Sequence, residues 1–291
     1  MTYHIESFYD TQTSTFTHVL VDQSTKQCAV IDSVLDYNQD AAKFNTTSAD
    51  NVVEYIKAHG LTNQWLLETH IHADHITAAF YLKPHIGGKT AIGTGIKKVL
   101  ETWVPLFETE GDTPLTGEQF DQLFADGDTF KVGNLNLRVM HTPGHTPACA
   151  TYILEEEGKP VAAFVGDTIF NPNLGTARCD FPGGSAKDLY QSIQKLYALG
   201  DDVTLYLCHD YPKGDDKPLV KIRVADQKKQ NIMLNGDTTE AEYVERRQAR
   251  DKTLAVPKLL LPSIQTNMRL GSFGPKHANG IQYIKIPINV L

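Results

Sequence analysis

The sequence predicts an α/β protein, an αββα sandwich in which two β-sheets pack face to face between outer layers of helices. Two strand-rich halves follow one another along the chain, and each contains segments with the apolar spacing of helices. Hydrophobic residues make up 41% of the 291 positions, which is enough for one sizeable core. We therefore expect a single domain over residues 1–291, with its core over about 1–235 and a helical or extended C-terminal tail over about 236–291.

The first half begins with a predicted β-hairpin. β-Branched residues alternate along 13–22, and a second apolar stretch over 27–32 follows a polar turn. Ser48 then occupies an N-cap position for a helix over 49–59, and Gly60 supplies its C-terminal stop. The other predicted elements of this half are a strand over 64–68 and helices over 76–82 and 93–107.

The second half is predicted to contain another hairpin and further strands, followed by charged helices. Asp126-Gly127-Asp128 is a turn signal that opens a hairpin ending near Met140. After it we expect strands over 148–154, 160–165 and 203–207, helices over 186–199, 217–231 and 239–254, and a strand-like segment over 280–288. Sheets with crossover helices carry their ligand-binding loops at the C-terminal ends of strands. We therefore expect the functional residues at these ends.

Composition and charge argue against several classes of protein. The net charge of -8 and a pI near 5.7 disfavour nucleic acid as the main partner. Apolar runs such as 161–165 fall far short of the roughly 20 residues that span a bilayer, so we expect no membrane association. Met1-Thr2-Tyr3-His4 lacks the basic and apolar regions of a signal peptide, which predicts a cytoplasmic location. The four cysteines are far apart without a CxxC pair, and we expect reduced, buried thiols at Cys28, Cys149, Cys179 and Cys208.

The densest group of potential metal ligands follows the predicted strand over 64–68. Its four members within six residues are His70, His72, Asp74 and His75. A divalent cation turns such a cluster of imidazoles and a carboxylate into ligands. Three later strand ends carry His145, Asp167 and His209. On its own His145 is equally consistent with a buried core histidine, and Asp167 with a turn cap. Their repeated placement beside the cluster favours one metal site at this sheet edge.

Several of these motifs together resemble those of a known family. The segments concerned are HxHxDH at 70–75, HTPGHT at 141–146, GDT at 166–168 and HDY at 209–211. Over roughly residues 15–211 they resemble the metallo-β-lactamase superfamily. Within it, GTARCDFPGG at 175–184 resembles the GRTDF-type segment of the persulfide dioxygenases, also called sulfur dioxygenases or ethylmalonic-encephalopathy-type proteins, with Cys179 where Thr is usual. HDY also suits that family better than the HEY of glyoxalase II, and the tail with Asn267-Met268-Arg269 is similar to its longer bacterial members.

The resemblance implies the metallo-β-lactamase fold and one iron(II) per chain. Its ligands would be His70, His145 and Asp167, and two imidazoles with one carboxylate leave three octahedral positions open. The implied reaction oxidises glutathione persulfide with O2 and water to sulfite and glutathione. The remaining metal-capable residues would orient the ligands by hydrogen bonds, or would hold a second metal in a dinuclear enzyme: His72, Asp74, His75 and His209.

Glutathione carries two carboxylates, so cations are expected in the substrate pocket of this acidic protein. The predicted substrate-binding residues are Arg178, Tyr211, Lys213, Arg223 and Arg269, with Arg178 and Tyr211 also given catalytic roles. For each basic residue the alternative is an ordinary solvated side chain. The family resemblance further implies a homodimer or homotetramer.

Two other functions compete with the dioxygenase. One is a dinuclear hydrolase of the glyoxalase II kind, in which two zinc ions activate a hydroxide against a glutathione thioester. The metal-capable residues for such an enzyme are all present. The other is a metal-stabilised binding or sensing module without turnover, which would not require open coordination positions.

Overall fold

The protein is described here by a computed structural model that covers residues 2–290. Its strands are β1 (Tyr3–Asp10), β2 (Thr15–Asp22), β3 (Gln27–Ile31), β4 (Asp36–Asn38), β5 (Lys43–Asn45), β6 (Thr62–Leu67), β7 (Lys89–Gly93), β8 (Gln122–Phe124), β9 (Thr129–Val132), β10 (Leu135–His141), β11 (Ala150–Glu156), β12 (Lys159–Phe164), β13 (Thr204–Tyr206) and β14 (Lys221–Arg223). Its α-helices are α1 (Thr47–Ala58), α2 (Ala79–Ile86), α3 (Ile96–Phe107), α4 (Ala186–Tyr197), α5 (Val224–Gln230), α6 (Glu240–Asp251) and α7 (Leu260–Asn267). A short 3-10 helix spans Gly166–Thr168.

Within the described residues, twelve strands form two six-stranded sheets, and β4 pairs with β5 in a two-stranded sheet. The first sheet has the order β1-β2-β3-β6-β7-β8 and the second has the order β14-β13-β12-β11-β10-β9. Parallel pairing joins β3, β6, β7 and β8 in the first sheet, and β12 with β13 in the second. The C-terminal ends of β6, β12 and β13 carry most of the metal-capable residues, and His145 follows the antiparallel β10.

Three groups of buried residues define the layers. The middle group combines residues of both sheets, among them Leu20, Leu67, Leu137 and Phe164, so the sheets pack face to face. On the outer face of the first sheet, residues of α1, α3 and α7 pack together. On the outer face of the second sheet, α4 packs with Tyr243 of α6. This arrangement confirms the αββα sandwich, since each sheet buries its second apolar face under helices.

Both predicted hairpins are present, as β2 with β3 and as β9 with β10. The N-cap prediction for the first helix was wrong. The helix begins at Thr47, and the Ser48 hydroxyl donates to Asp36 Oδ1 at 2.8 Å instead of capping it. Asp36, which the sequence places outside any motif, therefore anchors the start of α1.

The C-terminal part differs from the prediction in two places. The expected helix over 217–231 is shorter, because Lys221–Arg223 pairs with β13 as an edge strand and the helix covers only Val224–Gln230. The segment over 280–288 has no regular secondary structure and pairs with no strand in the part of the chain that is described. Helix α6 keeps its predicted place and begins with a capping box between Thr239 and Glu242.

The expected single domain with a tail from about residue 236 stays a prediction. The helices of that tail pack on opposite sides of the sandwich, α6 beside α4 and α7 beside α3. Among residues 2–290, no helix combines the length and apolar character that crossing a bilayer requires.

Candidate metal centre

Loops from both sheets bring the metal-capable side chains together at one edge of the sandwich. In the loop after β6, the backbone N–H and the hydroxyl of Thr69 both donate to the buried Asp32 carboxylate at 2.8 and 2.9 Å. His209 follows β13 and forms an isolated bridge with Thr15 of the first sheet. Asp167 lies in the 3-10 helix directly after β12. The placement at strand ends that the sequence predicted is therefore present.

We call His70, His145 and Asp167 the first set. Their possible ligand atoms all lie within 4.8 Å of one another, with Asp167 Oδ2 at 3.8 Å from His70 Nε2 and 3.7 Å from His145 Nε2. The Nδ1 atom of His145 donates to the Arg178 carbonyl oxygen at 2.8 Å. Because Nδ1 carries the proton, Nε2 presents its lone pair to the site.

The same reasoning holds for His70. The Thr69 hydroxyl donates to Asp32, so it accepts from His70 Nδ1 at 3.0 Å and leaves Nε2 as the lone-pair atom. Burial and the neighbouring imidazoles lower the pKa of His70 well below its usual value, which keeps the ring neutral. His70 Nε2 and Asp167 Oδ1 are buried without a hydrogen-bond partner. Since buried polar atoms are nearly always satisfied, these two atoms fit the ligands of a divalent cation.

We call His72, Asp74, His75 and His209 the second set, whose possible ligand atoms also lie within 4.8 Å of one another. Carboxylates lie close to its histidines, but His72 Nδ1, His75 Nε2 and His209 Nε2 have no hydrogen-bond partner. Asp74 lies 3.4 Å from His75 Nδ1 and 3.2 Å from His209 Nε2, and Asp167 Oδ1 is also 3.2 Å from His209 Nε2. Burial alone lowers the pKa of His209, but Asp74 and Asp167 raise it to about 9. Without a bound cation, His209 therefore keeps its proton at neutral pH.

His72 is held from behind by two buried carboxylates. Its Nε2 lies 3.1 Å from Asp32 Oδ1 and 3.3 Å from Glu68 Oε2, and the Thr77 hydroxyl donates to the other oxygen of Glu68. Burial alone lowers the pKa of His72, whereas Asp32 and Glu68 raise it well above the usual range. This contact leaves His72 Nδ1 as the nitrogen without a partner.

A cavity of about 980 Å³ opens onto the metal-capable residues His145, Asp167 and Asp74. Its wall carries four cationic residues, which are Arg178, Arg247, Arg250 and Lys258. The Arg178 guanidinium lies against the Phe181 ring and pairs with both oxygens of Asp180, at 2.6 and 2.7 Å. Such a wall fits an anionic ligand in a protein of net charge -8.

Two of the residues predicted to contact substrate line this cavity and three do not. Arg178 and Tyr211 are in its wall, and the Tyr211 ring stacks on His209 with 6.2 Å between centroids. Lys213 is exposed and does not line the cavity. Arg223 pairs with Asp226 in a separate surface groove. Arg269 is buried, pairs with Asp112 at 2.8 Å, and lines a different cavity of about 280 Å³.

Sequence reasoning missed the contributions of the tail to this site. Arg247 and Arg250 belong to the charged helix expected over 239–254, and Lys258 follows it, but no motif marked them. The side chain of Asn267 donates to the carbonyls of His72 and His75 at 2.9 and 2.8 Å and accepts from Thr77 N at 2.9 Å. The tripeptide at 267–269 predicts a substrate contact for Arg269, whereas in the structure Asn267 is the member that binds the loop of the metal-capable residues.

The fold and this constellation define a class, the metal-dependent enzymes built on an αββα sandwich with histidines and aspartates at strand ends. Residues 12–209 match the family model described as the metallo-beta-lactamase superfamily. The chain belongs to this superfamily.

Individual relatives divide between two activities. The chain is 46% identical to Glyoxylase B2 of Dictyostelium discoideum over 99% of this chain and 97% of that protein, and 45% identical to a probable metallo-hydrolase of Burkholderia pseudomallei over 99% of each. It is 30% identical to human mitochondrial persulfide dioxygenase ETHE1 over 71% of this chain and 68% of that protein. The crystal structure of ETHE1 from Myxococcus xanthus is similar with a TM-score of 0.73 and 26% identity, over 92% of this chain and 100% of that one.

Proposed function

We propose that the protein is a persulfide dioxygenase that converts glutathione persulfide, O2 and water to glutathione and sulfite. One iron(II) would be held by His70, His145 and Asp167. The observation that carries this proposal is the composition of the first set, in which two histidines and one carboxylate lie together and His145 and Asp167 line the cavity. Buried atoms without a hydrogen-bond partner occur in both sets, but the second set also contains close histidine–carboxylate contacts through Asp74 and Asp167. A set of two histidines and one carboxylate is the arrangement of non-haem iron(II) oxygenases.

When bound, iron(II) supplies open coordination positions and the redox chemistry that O2 requires. The chain itself supplies substrate binding and orientation. Arg250 and Lys258 lie on the cavity wall with no carboxylate pairing them among the described residues, so they are available to the two glutathione carboxylates. Arg178 is already engaged by Asp180 and contributes chiefly to the shape of the wall.

Tyr211 and the second set complete the proposed site. The Tyr211 ring lies over His209 and lines the cavity, so its hydroxyl is in a position to donate to a ligand beside Asp167. The protonated His209, held between Asp74 and Asp167, keeps Asp167 oriented through their 3.2 Å contact. Assembly as a homodimer or homotetramer and a cytoplasmic location stay predictions.

A dinuclear hydrolase of glutathione thioesters is the second candidate. Two observations favour it: the ligand atoms of the second set lie within 4.8 Å of one another, and His72 Nδ1 is free of partners. Glyoxylase B2 is also among the relatives that match over nearly the whole chain. Two zinc ions per chain would supply an activated hydroxide.

The experiment compares both substrates on one preparation. The protein is purified without oxygen, its metals are counted, and it receives glutathione persulfide in an oxygen electrode or a glutathione thioester under the same conditions. O2 uptake with equimolar sulfite supports the dioxygenase. Thioester cleavage without O2 uptake supports the hydrolase, and bound metal without either turnover supports the binding module.

A further inference from the structure

We propose that Arg247 and Asp251 of helix α6 are positioning residues for His145, acting through the backbone of residues 176–179. Neither residue touches His145. His145 would need the same orientation to bind iron or zinc, so the positioning role applies to either kind of enzyme.

The argument begins at the backbone atom that orients His145. The Arg178 carbonyl oxygen accepts from His145 Nδ1 at 2.8 Å and thereby fixes both the tautomer and the ring plane. Arg178 belongs to an irregular segment between the 3-10 helix and α4, with one isolated bridge from Ile169 to Thr176 as its only strand-like pairing. Because sheet hydrogen bonds do not hold the segment, other contacts must place that carbonyl.

Helix α6 supplies those contacts from a single face. Tyr243, Arg247 and Asp251 are four positions apart, so they lie above one another along the helix, and all three are buried. The Tyr243 hydroxyl bonds with Thr176 Oγ1 at 2.8 Å, and Arg247 Nη1 donates to the Thr176 carbonyl at 2.9 Å. Asp251 Oδ2 accepts from Cys179 N at 3.0 Å. The two peptide contacts flank Arg178 on both sides.

Arg247 and Asp251 also bind each other. Arg247 Nη2 and Nε lie 2.7 and 2.9 Å from Asp251 Oδ1, and the residues are 3% and 6% exposed. A buried ion pair is often no more stable than apolar residues of similar volume. The pair is therefore explained better by the two backbone contacts that it makes than by its contribution to stability. Outer partners of metal-binding histidines commonly control metal affinity.

The test replaces the pair by apolar residues and measures metal binding without turnover. In the double variant Arg247→Met/Asp251→Leu, we expect the affinity of the apo-protein for Co(II) to fall about 10- to 100-fold. The visible absorption of the bound Co(II) should change as well, because the coordination of His145 is altered. The melting temperature of the apo-protein should stay within a few degrees of the parent, because the buried charges are removed together.

The matched control is Glu245→Leu/Arg246→Met, a like pair of substitutions at exposed positions of the same helix. It should leave Co(II) affinity and spectrum unchanged. Asp251→Asn keeps one acceptor for Cys179 N–H and should lie between the parent and the double variant. If the double variant does not fold, Asp251→Asn decides: a weaker Co(II) affinity supports the proposal, and a lower melting temperature with unchanged affinity overturns it. Equal Co(II) affinity and spectra in the double variant and its control would also overturn it. A failure of the dioxygenase activity alone would leave this result unaffected.

Discussion

The two sets of metal-capable residues share one pocket but differ in what surrounds them. In the first set, burial and the neighbouring imidazoles hold the pKa of His70 well below its usual value, and its Nδ1 bonds to Thr69, so Nε2 carries the lone pair. In the second set, His209 lies between two carboxylates that raise its pKa to about 9, although burial alone would lower it. The difference shows that two imidazoles in one pocket can be prepared for different charges, a lone pair for a cation at His70 and a proton at His209. Burial also lowers the pKa of His75, so this member of the second set resembles His70.

The largest effects are expected from the first set. His70→Ala or Asp167→Ala should abolish O2 uptake and lower metal affinity by more than the roughly 10- to 100-fold that loss of an outer partner costs. The measurements are bound iron per chain and sulfite formation. A variant that keeps its iron and its turnover would remove that residue from the first set.

Substitutions in the second set should have smaller effects. Asp74→Asn or His75→Ala should retain one metal per chain and lower turnover about 10-fold, as expected for residues that orient ligands. Metal content and turnover rate are both measured in these variants and in His70→Ala. If these variants lose a second metal and all activity, both sets bind metal and the distinction between the two sets is wrong.

The cations of the cavity wall are expected to change substrate binding rather than chemistry. Arg250→Ala and Lys258→Ala should each raise KM for glutathione persulfide about 10-fold with kcat nearly unchanged, since a charge-assisted hydrogen bond at a partly wet site contributes on the order of 1.4 kcal/mol. Arg223→Ala is the matched control, because that arginine pairs with Asp226 outside the cavity. A comparable rise in KM for the control would restore Arg223 as a substrate residue.

His18 is a buried histidine outside both sets, and it shows how burial changes the pKa of a histidine that has no hydrogen-bonded carboxylate. His18 contacts Ser7 and the Leu207 carbonyl, and burial lowers its pKa to about 4. The unfolded chain takes up this proton near pH 6.5, so stability is lost as pH falls from about 6.5 toward 4.

Between about pH 6.5 and pH 4, the lowered pKa of His18 should reduce the unfolding free energy of the apo-protein by about 3 kcal/mol. We expect His18→Gln to reduce the acid sensitivity measured by urea unfolding at pH 7 and pH 4.5, whereas exposed His59→Gln should not. An equal loss of stability in His18→Gln and the parent would show that His18 titrates normally.

The sequence was sufficient where the signal is local. Hairpins have alternating residues and turn signals, and His70, His145, Asp167 and His209 each follow a strand, so their meeting at one edge was predictable from topology. It was insufficient where contacts join distant parts of the chain. Asn267 binds the loop at 72–77 from about 190 positions away, and no spacing rule reports such a contact.

The prediction of substrate-binding basic residues missed Arg250 and Lys258 for the same reason. Arg269 is the last residue of the recognised tripeptide, but its guanidinium pairs with Asp112 in another cavity, whereas Arg250 and Lys258, which no motif marks, line the metal cavity. The positions of the tail helices determine which basic side chains line the cavity, and the sequence alone does not give those positions. The wrong N-cap at Ser48 is a similar case, because Asp36 competes for its hydroxyl.

The most direct test of the account is an oxygen-free titration of the apo-protein with iron(II), with bound metal and released protons counted at neutral pH. We predict one tightly bound iron per chain, lost in His70→Ala and kept in His75→Ala. Two ions bound with similar affinity in the parent, or one ion lost in His75→Ala but kept in His70→Ala, would contradict the assignment of the metal to the first set.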